Sequence, residues 1–284
     1  MTGSITSRAI HAAAPWLAAL AMPAQAQAPR WIPEAGSQGY RYELVTHIPN
    51  LPATAYRLDY DLVSDGRGGL VAVVKAAAHM EGGGWRDAEI DADCRAALHA
   101  TGNELARITL SPVAPGAAAT LGPAFVADCA PADILYPIMD ILNVALIQVG
   151  PQFRLAELVS PGDSRRFAGY ATSFDRLDTV ATLEATGGTV TFAALAPGRA
   201  TIDWASDPLK LTMVRRGAYN GADITLTGSE SFLFRLEIDP ATGVLLSAAT
   251  TYDELDMTMT LPGGYSQPLR MTRDVKIAAR PGLR

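Results

Sequence analysis

The sequence predicts a mainly β (α+β) protein: a curved antiparallel sheet or half-barrel wrapping a buried apolar helix, with a second short helix beside it. Three observations carry that expectation. Apolar and polar residues alternate over most of the chain, the segment Ile134 to Val149 is apolar on almost every side, and turn formers interrupt the alternating runs at intervals of roughly ten to twenty residues.

Composition sets the outer limits. The chain has 284 residues, 49% hydrophobic and 18% charged, with a formal net charge of -6. That suits a folded globular protein and excludes a disordered one. The acidic balance provides no electrostatic footprint for nucleic acid or for an anionic membrane. The N-terminus "MTGSITSRAIHAAAPWLAALAMPAQAQAPR" has a single charge, Arg8, ahead of an apolar run and then Ala24-Gln25-Ala26. This is the layout of a signal peptide, with cleavage expected near Ala26. Its apolar run is too short and broken for a spanning helix, so the product is expected to be periplasmic or secreted and not an integral membrane protein.

Along the chain, residues 27–38 ("RWIPEAGSQG" and its flanks) read as a flexible leader. Residues 39–115 follow as strands and one short helix. "AYRLDYDLV" places Tyr56, Leu58, Tyr60 and Leu62 on one face and Arg57, Asp59 and Asp61 on the other, the period of a half-buried strand. "DAEIDADCRAALHATGN" has acids first and Gly102 last, the pattern of a short helix. Residues 116–284 hold the main helix and an antiparallel meander of seven or eight strands, continuous with the preceding part or separate from it. In the main helix Ile134, Leu135, Ile138 and Leu142 fall on one face, and Asp133, Asp140, Asn143 and Gln148 read as its wet side. Pro137 is expected to kink it or to mark a break. A change of phase in "GVLLSAATTYDELDMTMTL", from Val244, Leu246 and Tyr252 to Leu255, Met257 and Met259, predicts a β-bulge near Asp253 or Glu254.

The only cysteines, Cys94 and Cys129, are an even count in a chain read as exported, which points to a disulfide. Closing that loop stabilises by roughly 3 to 4 kcal/mol in the chain-entropy picture. The competing reading is a pair of buried thiols.

No catalytic signature stands out. His47, His79 and His99 lie in no metal-binding or triad spacing, and there is no G-x-S-x-G. "PGDSRRF" reads as a turn opening a strand. The acids Asp87, Glu89, Asp91 and Asp93 suit a helix N-terminus and lack the glycine of a calcium loop. No phosphate-binding loop is present, so no cofactor and no metal is expected. Asp253, Glu254 and Asp256, with Arg235 or Arg273, are the candidate acids and cations for a hydrolase or lyase.

The remaining resource is apolar. Besides the helix residues, Trp204, Met213, Phe232, Phe234, Met257 and Met259 can face the concave side of a curved sheet, either as plain core or as the lining of a pocket for a flexible apolar ligand. The layout of the signal peptide, the helix, the "SPGDSRRF" entry into a meander and the "FRLEIDPATGVLLSAATTYDEL" hairpin resembles the LolA-like periplasmic lipoprotein-carrier superfamily. That resemblance implies a half-barrel sheltering an acyl chain and transfers no specific residue. The function expected is therefore binding or carriage of an apolar or lipid-like ligand. The alternatives are a structural or partner-binding envelope protein, or a carboxylate-dependent hydrolase or lyase.

Overall fold

The computed structural model describes residues 28–89, 104–110, 135–176 and 179–280. The expected signal peptide, the second short helix, Ile134, Cys94 and Cys129 lie outside the described residues. The N-terminal strands are β1 (Gly36–His47), β2 (Thr54–Ser64), β3 (Leu70–Glu81), β4 (Gly84–Asp87) and β5 (Ala106–Leu110). One helix, α1 (Leu135–Val149), and two short 3-10 turns, Pro151–Phe153 and Leu155–Glu157, come next. The chain then forms β6 (Ser164–Arg176), β7 (Thr179–Ala196), β8 (Arg199–Ser206), β9 (Leu209–Tyr219), β10 (Ala222–Ile238), β11 (Leu245–Thr260) and β12 (Ser266–Ala279).

These strands make one antiparallel sheet in the order β4-β3-β2-β1-β12-β11-β10-β8-β7-β6. β4 and β5 share the outer edge of β3, pairing with Ala78–Glu81 and Leu70–Val74 respectively. β8 and β9 likewise share one place between β7 and β10. Their break falls at Asp207–Pro208, where proline has no N–H to contribute to a ladder. The Ser206 hydroxyl accepts the Phe232 N–H beside that break, at 3.1 Å.

Most strands pair with a neighbour in sequence, and β12 returns to pair with β1, Leu44 opposite Val275. The two ends of the sheet's strand order are then joined by the segment that contains α1. α1 packs on the buried side of the sheet, against β1 and β3. The result is a partial ring filled by a helix.

Alternation sorts the two faces. Tyr40, Tyr42 and Leu44 of β1 and Leu58, Tyr60 and Leu62 of β2 are buried against the helix side. The opposite face carries cross-strand ion pairs such as Arg41–Asp59 at 2.9 Å and Arg235–Asp203 at 2.8 Å. Such exposed pairs each add a few tenths of a kcal/mol to about 1 kcal/mol. Glycine allows the strands to coil closely: a Cβ on Gly188 would stand 2.3 Å from the Ala205 carbonyl oxygen and 2.3 Å from the Phe167 ring, and one on Gly228 2.1 Å from the Asp256 carbonyl oxygen.

Several local expectations need correction. The bulge in β11 lies earlier than expected, since Leu233 pairs with Tyr252 and Phe234 with Thr250, leaving Thr251 as the extra residue. Before it the inward residues are Leu245 and Ala248, not Val244 and Leu246; after it Tyr252 is exposed and the inward residues are Asp253, Leu255 and Met257. Pro137 lies in the first turn of α1, where a missing N–H costs the helix nothing. Asp140 and Gln148 are not on a wet side but are buried and hydrogen-bonded. The segment expected as a loose leader is fastened by Trp31, which is buried, meets the Phe192 ring edge-on at 5.1 Å and donates its indole N–H to the Leu158 carbonyl. Backbone bonds from Arg30 to Pro240 and from Glu34 to Thr242 complete the attachment.

Candidate functional site

Between α1 and the sheet lies a group of five polar side chains in an otherwise apolar interior. Strand alternation places Arg273 of β12 in phase with Val275 and Ile277, Glu230 of β10 in phase with Phe232 and Phe234, and Asp253 of β11 in phase with Leu255 and Met257. The bulge at Thr251 puts Asp253 in that phase. Tyr42 of β1 and Asp140 of α1 complete the group, and none of the five is more than 6% exposed.

The guanidinium of Arg273 is the hub. Its Nη2 donates to Glu230 Oε1 and to Asp253 Oδ2, both at 2.6 Å. Longer contacts of 3.4 Å reach both carboxylate oxygens of Asp140. The Tyr42 hydroxyl donates to Asp140 Oδ2 at 2.6 Å. The helix is thus tied to β1 and β12 by polar contacts as well as by packing.

Three carboxyls share one guanidinium in a buried site, where loss of hydration disfavours the ionised form of an acid. Burial pushes the Asp253 carboxyl up to about 8 against the pull of Arg273, and the neighbouring Glu230 and Asp140 add to the rise. Burial also raises Asp140, again opposed by Arg273. Tyr42 is raised well above the ordinary phenol value, first by burial and then by the adjacent Asp140. The direction of these shifts favours the protonated form of Asp253, whose Oδ1 has no partner among the described residues.

The candidate acids separate. Asp253 meets Arg273, whereas Asp256 pairs with Arg270 on the other face of the sheet, Arg235 pairs with Asp203, and Glu254 is exposed. Sequence reasoning missed Asp140, Glu230 and Tyr42. The signal was present: a charged residue at an inward position of an apolar alternation is a buried charge. His47 stands 3.3 Å from Asp274 at the surface. Asp163 of "PGDSRRF" accepts the N–H groups of Val159 and Ser160, which makes it a turn former. Among the described residues no three His, Cys, Asp or Glu side chains are placed to hold a metal ion.

The candidate apolar lining divides into two zones. Ile138 and Leu142 of α1 are buried, as are Trp204 of β8, Phe232 and Phe234 of β10 and Met257 of β11. The Trp204 ring lies 4.6 Å from that of Phe232 and 5.5 Å from that of Phe234. Leu135 belongs to α1, and its side chain is not among those described. Met213 and Met259 are only half-buried. They flank Leu226 on the two neighbouring strands, with Met213 opposite it on β9 and Met259 opposite it on β11. Leu269 and Met271 continue this half-buried patch onto β12, where Leu269 pairs with Met257 and Met271 with Leu255. The patch lies past Glu230 and Arg273, away from the aromatic cluster.

Among the described residues no helix is long and apolar enough to cross a membrane. No protein-family model matches the chain, and no curated protein matches it in sequence. Among solved structures, the chain is similar to a LolA superfamily protein from Nitrosomonas europaea, at 10% identity over 89% of this chain and 90% of the other, with a TM-score of 0.17.

Proposed function

We propose that this chain is an exported, periplasmic binding or carrier protein for an apolar or lipid-like ligand. The observation behind the reading is the half-buried row Met213–Leu226–Met259, extended by Leu269 and Met271, on the concave side of the sheet. Flexible methionine and leucine side chains adapt to a ligand without a fixed shape. With strands about 4.8 Å apart, a row across four of them spans about 14 Å. An acyl chain lying along it gains about 0.8 kcal/mol for each methylene it buries, of which only the surplus over the cost of association appears as affinity.

The buried residues of the candidate lining have a different place in this reading. Ile138, Leu142, Trp204, Phe232 and Phe234 pack against one another and become lining only where α1 moves away from the sheet. The Arg273 group opposes such movement, because it ties Asp140 of the helix to the sheet. At 0–6% exposure these polar residues are closed to a substrate, which favours carriage over hydrolysis.

The test is binding of an uncharged fluorescent long-chain acyl ester to delipidated protein, with and without Leu226→Lys. Saturable binding by the native chain, and its loss in the variant, supports the proposal. Absence of binding to the native chain overturns it.

A further inference from the structure

At the C-terminal end of α1, away from the row just described, the segment Ala28–Ile32 and the two 3-10 turns border a groove of ≈ 640 Å³. That volume lies within the range of small-ligand sites. Trp31, Ile32, Val149 and Leu155 supply apolar walls.

Two arginines line it as well. Arg30 gives its Nε–H to the Ile32 carbonyl at 3.1 Å, and its terminal nitrogens have no protein acceptor among the described residues. Arg154 sits between the 3-10 turns at φ 53, a left-handed conformation that penalises any residue with a Cβ and that glycine adopts freely. An arginine held there keeps a charge where backbone geometry alone favours glycine. The one acid of the lining, Glu157, already accepts from Arg154 at 2.6 Å and from Arg165 at 3.1 Å. The groove is left with an excess of positive charge.

Gln148 of α1 adds a polar group to the lining. Its Nε2 donates to the Gly243 carbonyl at 2.9 Å and to the Trp31 carbonyl at 3.3 Å, while its buried Oε1 has no donor among the described residues.

We infer that this groove binds an amphiphile with one anionic head, a carboxylate or a phosphate, and an aliphatic tail. The head lies against Arg30 and Arg154, where a guanidinium offers forked, charge-assisted hydrogen bonds. The tail follows Ile32, Val149 and Leu155. This site is separate from the Met213–Leu226–Met259 row and does not depend on it.

Calorimetric titration with decanoate tests the inference, with decanol as the uncharged comparison. The native chain binds decanoate more tightly than decanol, and the double variant Arg30→Gln/Arg154→Gly weakens decanoate by about tenfold or more. Glycine fits φ 53, so the variant keeps its fold, and Arg154→Lys retains most of the affinity. Sedimentation with phosphatidylglycerol vesicles, against phosphatidylcholine, separates a membrane headgroup from a free amphiphile; arginine-dependent binding to either supports the site. Decanoate binding that survives the double variant but is lost in Leu226→Lys overturns the inference, as does failure to bind both decanoate and phosphatidylglycerol.

Discussion

Asp140 of the helix accepts a 2.6 Å hydrogen bond from the hydroxyl of Tyr42, a residue 98 positions earlier on β1. That bond joins the helix to the first strand in the interior, next to Arg273 on the last. Replacing Tyr42 with Phe keeps the ring and removes the donor from a buried carboxyl. The expected cost is about 1–3 kcal/mol of unfolding free energy, measured by urea denaturation.

Arg273 contacts all three buried acids, Asp140, Glu230 and Asp253. Arg273→Leu leaves three buried acids without it and is expected to cost about 3–5 kcal/mol. Adding Asp140→Asn, Glu230→Gln and Asp253→Asn removes the stranded charge and recovers part of that loss. Equal stability of the single and the quadruple variant at neutral pH would show that charge is not what Arg273 balances.

The same group sets a pH dependence. Asp253 moves from an ordinary 3.8 to about 8 in the folded chain, so between those values the folded state holds a proton that the unfolded state has released. Stability then falls as pH rises from about 4 to about 8, and levels off once the folded group has also ionised. Asp140, raised by burial, acts in the same direction. Surface acids held low by partners, such as Asp59 beside Arg41 and Arg280, act the other way and only as pH falls below the ordinary carboxylate value. Urea midpoints measured from pH 4.5 to 8.5 are expected to decline in the native chain and to flatten in Asp253→Asn.

Gly188 of β7 stands between Phe167 of β6 and Ala205 of β8. A methyl group there meets the Ala205 carbonyl and the Phe167 ring, and Phe167 in turn packs against Phe153 at 4.9 Å. Gly188→Ala is expected to cost about 1–3 kcal/mol by overpacking, visible as a lower thermal midpoint.

Much of this architecture was legible as pattern. Period-two alternation marked Tyr56 to Leu62 as a strand, turn glycines marked the meander, and the apolar perimeter of Ile134 to Val149 marked a helix covered on nearly all sides. The position of the bulge was not legible to the residue, because a phase change fixes which residues turn inward only after the partner strand's register is known. That gap hid the polar group. Asp253 read as part of a wet cluster with Glu254 and Asp256, and Asp140 read as a solvent-facing residue, because no local rule links a helix carboxyl to an arginine 133 residues away. The anchoring of Trp31 was hidden for the same reason, since its partners Leu158 and Phe192 are set by the fold and not by neighbours in sequence.

The proposed function places an acyl chain on the concave side of the sheet. A photoreactive fatty acid, crosslinked to the delipidated protein and mapped by peptide mass spectrometry, tests it most directly. Label is predicted on the strands that carry Met213, Leu226, Met259 and Met271. Label found solely on the ion-paired outer face, or solely on the groove formed by Ala28–Ile32 and the 3-10 turns, would contradict it.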